Sequence, residues 1–166
     1  MKLKKLMRKP LFWAVLILFL AILYFWTTRY REFTGKVVRV ADGDTILVMH
    51  DGKEEKVRLL GIDCPELNQP YGYEAKRFTA RKTRFKTVKV KYRKRDKYKR
   101  TLGWVKLPDN KDLSRELLKA GLAWWYRYYS KDKKLGKLEN EARKAKRGLW
   151  QGKNPIPPWD WRRGKR

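Results

Sequence analysis

Residues 36–62 read KVVRVADGDTILVMHDGKEEKVRLLGI. Three strand-like runs lie in this stretch, at 36–41, 45–50 and 56–62. Asp51-Gly52 separates the second from the third, and such a pair between apolar runs signals a tight hairpin. Downstream, 87–93 (TVKVKYR) sets Val88, Val90 and Tyr92 against Lys89, Lys91 and Arg93. That alternation predicts a half-buried strand with a basic outer face. A fifth strand is expected at 102–107, stopped by Pro108.

Helical spacing fills the rest. Residues 73–85 carry Ala75, Phe78 and Phe85. Residues 113–120 carry Leu113, Leu117 and Leu118, with Gly121 as a C-cap. Leu135, Leu138, Ala142, Ala145 and Leu149 share one face of a last helix, with Gly148 as its terminator. Five short strands with a helix after the third predict a mainly β fold with α. The pattern is that of a five-stranded OB-type barrel plus three helices.

The chain has 166 residues, enough for one modest globular domain. Lys and Arg number 44 against 17 Asp and Glu, a net charge of +27. A charge so one-sided points to polyanion partners, nucleic acid or an anionic membrane. One cysteine, Cys64, excludes an internal disulfide framework and a Cys-rich zinc site. One histidine, His50, excludes mechanisms that need two imidazoles.

The first 28 residues differ from the others. Segment 1–9 is basic, with five Lys or Arg and no acid. Residues 10–28 hold no charge, which is near the roughly 20 apolar residues that a membrane span needs. Trp13, Tyr24 and Trp26 sit where aromatic interface belts form. Bulky residues follow in place of a small-residue cleavage site, so 10–28 reads as an uncleaved transmembrane signal anchor. The basic start keeps the N-terminus in the cytoplasm and places the remainder outside it, at the cell surface or in a periplasm. The globular domain is expected over 29–151, followed by a Pro/Trp-rich basic tail at 152–166 whose composition resists regular structure.

The scarce acids define candidate chemistry. Asp44 lies between the first two strands and Asp63 at the end of the third. Adjacent strands of a small barrel would bring them together, and close carboxylates repel unless a cation joins them. Oxygen ligands without His or thiols select Ca2+ or Mg2+. Asp42 reads most simply as a turn residue, and Cys64 as a small packed one. Arg58 is a charge inside a strand, costly unless it faces a site. With Arg100 and one spare carboxylate, it completes a set suited to phosphodiester hydrolysis. Arginines stabilise developing phosphate charge, and a carboxylate activates water.

These residues resemble the staphylococcal nuclease (thermonuclease) family. The likeness rests on 40–45 (VADGDT), 58–66 (RLLGIDCPE), 71–75 (YGYEA), 96–100 (DKYKR), 116–123 (ELLKAGLA) and 148–150 (GLW). Several motifs in order over most of 33–150 make a specific signal. The resemblance implies the OB barrel and Ca2+ held by Asp44, Asp63 and the backbone carbonyl of Cys64. It implies Arg58 and Arg100 on the scissile phosphate and Glu66 on the attacking water. Lys97, Tyr98 and Tyr129 match positions that contact the nucleotide. Two departures stand out: Cys64 replaces a more usual Thr, and the loop at 67–70 is short. The function implied is a membrane-anchored, calcium-dependent endonuclease acting on DNA and RNA, with no protein partner implied. The alternative is a non-catalytic nucleic-acid-binding OB module. The complete set Asp44, Arg58, Asp63, Glu66 and Arg100 argues against that alternative.

Overall fold

The structure is a computed structural model; it describes residues 10–28 and 30–165, without the side chains of 23 and 25–28. The basic segment 1–9 therefore lies outside the described residues. The chain divides into two compact units, Met1–Arg31 and Glu32–Arg166.

In the first unit, α1 spans Pro10–Thr28. Its side chains at Leu11, Val15, Ile17, Leu18 and Phe19 are exposed. Among the described residues, no helix is long and apolar enough to cross a membrane.

The strands in chain order are β1 (Arg31–Val40), β2 (Thr45–His50), β3 (Lys53–Leu59), the two-residue β4 (Ile62–Asp63), β5 (Thr87–Arg95), β6 (Thr101–Lys106) and the two-residue β7 (Trp124–Trp125). Five of them close into a barrel in the order β1-β2-β3-β6-β5, as expected. The β3–β6 pairing is parallel, whereas β1–β2, β2–β3 and β5–β6 are antiparallel. Asp51 and Gly52 both take positive φ, 47° and 72°, as a tight hairpin with the right twist requires. The alternation along β5 holds: Val88 and Val90 are buried, while Lys89 and Lys91 face out. Val37, Val48, Val57 and Val105 complete the barrel interior.

Helices α2 (Gly72–Thr83), α3 (Leu113–Lys119) and α4 (Lys133–Lys144) pack on this barrel, followed by a 3-10 turn (Gly148–Gln151) and the short α5 (Pro158–Trp161). Asp112 caps α3 by accepting the Arg115 N–H at 3.0 Å, and Asp132 caps α4 by accepting that of Lys134 at 2.9 Å. Such caps contribute about 1 kcal/mol each. Leu113, Leu117, Leu118 and Leu135 are fully buried against the barrel residues.

The structure departs from expectation at several boundaries. The third strand, expected at 56–62, starts at Lys53 and ends at Leu59. Gly61, at φ 82°, breaks it; a Cβ there would lie 2.7 Å from Leu135 Cδ1. The break frees Ile62–Asp63 to leave the barrel and pair with Trp124–Trp125. Helix α2 ends at Thr83, and Phe85, expected in the core, is 61% exposed. Helix α4 stops at Lys144, because Lys146 and Gly148 both take positive φ, and Leu149 reaches the core from the 3-10 turn. The segment expected to be irregular contains α5, where Pro158 occupies the first turn and its missing N–H costs nothing.

Candidate active site

Asp44, Arg58, Asp63, Cys64, Glu66, Lys97, Tyr98, Arg100 and Tyr129 all line one cleft of about 730 Å3. The topology explains the convergence. Register pairs Thr45 of β2 with Arg58 of β3, so Asp44 stands beside the Arg58 side chain. The turn at Gly61 carries Asp63 back to the same place. The 96–100 turn between β5 and β6 closes the other side.

Arg58 is the hub. Its Nη1 lies 2.7 Å from Asp44 Oδ2 and its Nη2 2.6 Å from Asp63 Oδ1. The Arg58 side chain is 12% exposed, and those of Asp44 and Asp63 are 7% and 1%. Asp44 Oδ2 also accepts the Cys64 N–H at 2.7 Å, and its Oδ1 accepts the Thr45 hydroxyl at 3.2 Å. Burial pushes the Asp44 carboxyl up to about 8, with Asp42 and Asp63 adding to the rise, against the opposing pull of Arg58. Burial would lower the Arg58 guanidinium, but Asp44 and Asp63 outweigh it and hold it above its ordinary value. Burial also raises the Cys64 thiol well above its usual range, which leaves it no nucleophile. Asp42 accepts the Asp44 N–H at 3.0 Å, the turn role expected of it, and it lines the cleft as well.

Across the cleft, Arg100 Nε lies 2.7 Å from Asp96 Oδ2, and its guanidinium stands 5.4 Å from the Tyr98 ring centre. Burial is the largest single influence on Asp96 and raises it, but the hydrogen bonds from the Arg100 backbone and side chain together bring it below its ordinary value. Tyr98 and Tyr129 are both 66% exposed. Exposed rings at a basic cleft can stack on bases. The basic run at 76–100, with 14 Lys or Arg and one acid, delivers Lys94, Arg95, Lys97 and Arg100 to this rim.

The sequence reading missed two cleft residues, Arg162 and Tyr126. Arg162 Nη1 lies 2.6 Å from Glu66 Oε1, and its Nη2 lies 2.8 Å from Asp63 Oδ2. Those carboxylates hold the Arg162 guanidinium above its ordinary value, against the effect of burial. The signal available was the run PPWDWRR at 157–163, where aromatic residues alternate with charges beside two prolines.

The donor set can be tested against a metal ion. Four of the five carboxyls lining the cleft, those of Asp42, Asp44, Asp63 and Glu66, stand on one side of it with two arginines, Arg58 and Arg162, paired among them. The buried Asp44 and Asp63 carboxylates share one cation between them, the Arg58 guanidinium. A hard, oxygen-seeking divalent cation fits that chemistry. Among the described residues, no group of three or more His, Cys, Asp or Glu side chains is placed to hold a metal ion by itself. The carboxylates of Asp44 and Asp63 would need help from a backbone carbonyl, water or a substrate phosphate.

Residues 56–152 match the family described as staphylococcal nuclease homologue. A protein of Escherichia coli O157:H7 named as an uncharacterized endonuclease is 43% identical over 150 residues, covering 90% of this chain and 96% of that protein. The micrococcal nuclease of Shigella flexneri is 38% identical over 144 residues, 81% of this chain and 83% of its own. The staphylococcal-like nuclease CAN1 of Arabidopsis thaliana is 42% identical over 114 residues, 69% of this chain and 35% of its own.

Proposed function

We propose that this chain, which belongs to the staphylococcal nuclease family and is a nuclease, is a Ca2+-dependent endonuclease that hydrolyses phosphodiester bonds of DNA and RNA. The observation that carries this reading is the convergence of two carboxylates, two arginines and Glu66 on one basic cleft. The relatives named as endonucleases favour it over a binding-only barrel.

Asp44, Asp63 and the Cys64 carbonyl would hold the cation, which supplies charge to polarise the phosphate when bound. Arg58 stands with both Nη groups on the carboxylates, and it would turn part of that fork to an entering phosphate as the cation takes over Asp44 and Asp63. Arg100 is anchored through Nε, which leaves its Nη groups to face the phosphate. Glu66 orients water and takes its proton. Lys97, Tyr98 and Tyr129 hold the flanking nucleotide. The full chain is expected to degrade single-stranded DNA in Ca2+ and to stop when a chelator is added, read as oligonucleotide cleavage on a gel. Undiminished cleavage in chelator would remove the metal from the reaction.

A membrane anchor at 10–28, with the nuclease unit outside the cytoplasm, belongs to the same proposal. Its support is the uncharged sequence of that segment and the exposed apolar side chains of α1. The full chain is expected to stay with membranes through an alkaline carbonate wash, and recovery in the supernatant would remove the anchor.

A further inference from the structure

We propose that Arg162 is a positioning residue of the nuclease site, delivered from the 152–165 segment to clamp the Glu66 carboxylate; this rests on the role proposed for Glu66. One guanidinium spans two carboxylates. Its Nη1 donates to Glu66 Oε1 at 2.6 Å, and its Nη2 donates to Asp63 Oδ2 at 2.8 Å. The other oxygen of Asp63 takes the Arg58 hydrogen bond. The chain of pairs Arg58–Asp63–Arg162–Glu66 therefore ties the carboxylate that faces water to the buried hub.

Glu66 needs such a tie. It follows Pro65 on irregular backbone between β4 and α2, and its side chain is 40% exposed. An unrestrained Glu at that exposure samples many rotamers, and a catalytic carboxylate must hold one. Among the described residues, Arg162 is the one cation paired with it.

The delivery is itself built. Trp159 stacks on Tyr126 at 5.3 Å with rings 2° from parallel, and it meets Trp124 edge-on at 5.8 Å. Behind Trp124, Arg143 lies 3.6 Å over the Trp150 ring and pairs with the buried Glu139, so the platform is fixed. Gln69 reads both partners: its Oε1 accepts the Glu66 N–H at 3.1 Å, and its Nε2 donates to the Ile156 carbonyl at 2.5 Å. Trp161 Nε1 donates to Asn68 Oδ1 at 3.2 Å. The segment is thus pinned on both sides of the loop that carries Glu66, and Arg162 follows one turn of α5 later.

The test uses the full chain with a single-stranded oligonucleotide and Ca2+. Arg162→Ala is expected to lower kcat by about 10–100-fold with KM changed less than about threefold, the scale of a misplaced catalytic group. Arg162→Lys should recover part of the loss, and low added guanidinium should rescue Arg162→Ala. In a double-mutant cycle, Arg162→Ala should add little to Glu66→Gln, because both act through one carboxylate. Independently of activity, NMR of the Arg162 guanidinium N–H groups should show the restricted rotation of a two-pronged pair, lost in Glu66→Ala, which removes the accepting oxygen. If wild type is inactive in Ca2+ while that signature is present, the proposed function fails and the clamp stands. An unchanged or raised kcat in Arg162→Ala, or full additivity with Glu66→Gln, would overturn the positioning role.

Discussion

Arg58→Ala is expected to lower the cleavage rate by about 10²–10³-fold, the usual loss when one preorganised charge-stabilising group is removed. It should also destabilise the fold by about 3–5 kcal/mol, because breaking a buried ion pair strands its partners. Arg58 satisfies Asp44 and Asp63 at 2.7 and 2.6 Å, and it donates to the Ile62 carbonyl at 3.3 Å. Without it, the nearly inaccessible Asp44 loses its paired cation, and Asp63 keeps Arg162 alone. They would take up a proton or bind a cation more tightly. Ca2+ at this place would replace part of the lost positive charge, so the stability gap between Ca2+ and chelator should be wider in the variant than in wild type. Urea unfolding in both conditions, beside single-turnover rates, separates the two effects. Arg58→Lys keeps the charge but not the fork, and it should restore stability more than rate. A folded Arg58→Ala protein that cleaves at the wild-type rate would refute the site.

The barrel was legible because its signals are local, whereas Lys97, Tyr98 and Tyr129 entered through the family resemblance. Hairpin Asp51-Gly52, the alternation at 87–93 and the charge inside 56–62 each depend on a few neighbouring residues. The boundaries that failed depend on contacts made later. Nothing within 56–62 announces that Gly61 must turn, since the reason lies in Ile62–Asp63 pairing with Trp124–Trp125, some sixty residues on. Phe85 has the spacing of a core residue, yet the chain reaches positive φ there and turns it outward. The largest omission was Arg162. Its partner Glu66 is 96 residues away, and its place is set by Trp159 on Tyr126, not by any periodicity. A composition rich in proline, tryptophan and basic residues suggested an end without regular structure. The same prolines limit the backbone, so docking the segment costs less conformational entropy.

Glu66→Gln should separate chemistry from structure more cleanly than Arg58→Ala does. Gln has nearly the same shape and retains an oxygen that can accept from Arg162, but it cannot take a proton from water. General-base catalysis is worth about 10²–10⁴-fold, so kcat is expected to fall by that factor with KM nearly unchanged. Stability should move by less than about 1 kcal/mol, because the pair it weakens is 40% and 43% exposed and screened by water. Glu66→Asp retains the base but shortens its reach, which would break either the contact to water or the one to Arg162. If Glu66 acts only as an anchor for Arg162, then Glu66→Gln should cost no more than Arg162→Ala, and both should be small. If it activates water, Glu66→Gln should be the worse of the two. Arg162→Ala would leave the carboxylate present but wandering, able to reach the water in a fraction of its rotamers. The ratio of these two rates therefore measures how much of the carboxylate's contribution is proton transfer and how much is placement. Wild-type turnover in Glu66→Gln would leave catalysis to Arg58, Arg100 and the cation alone.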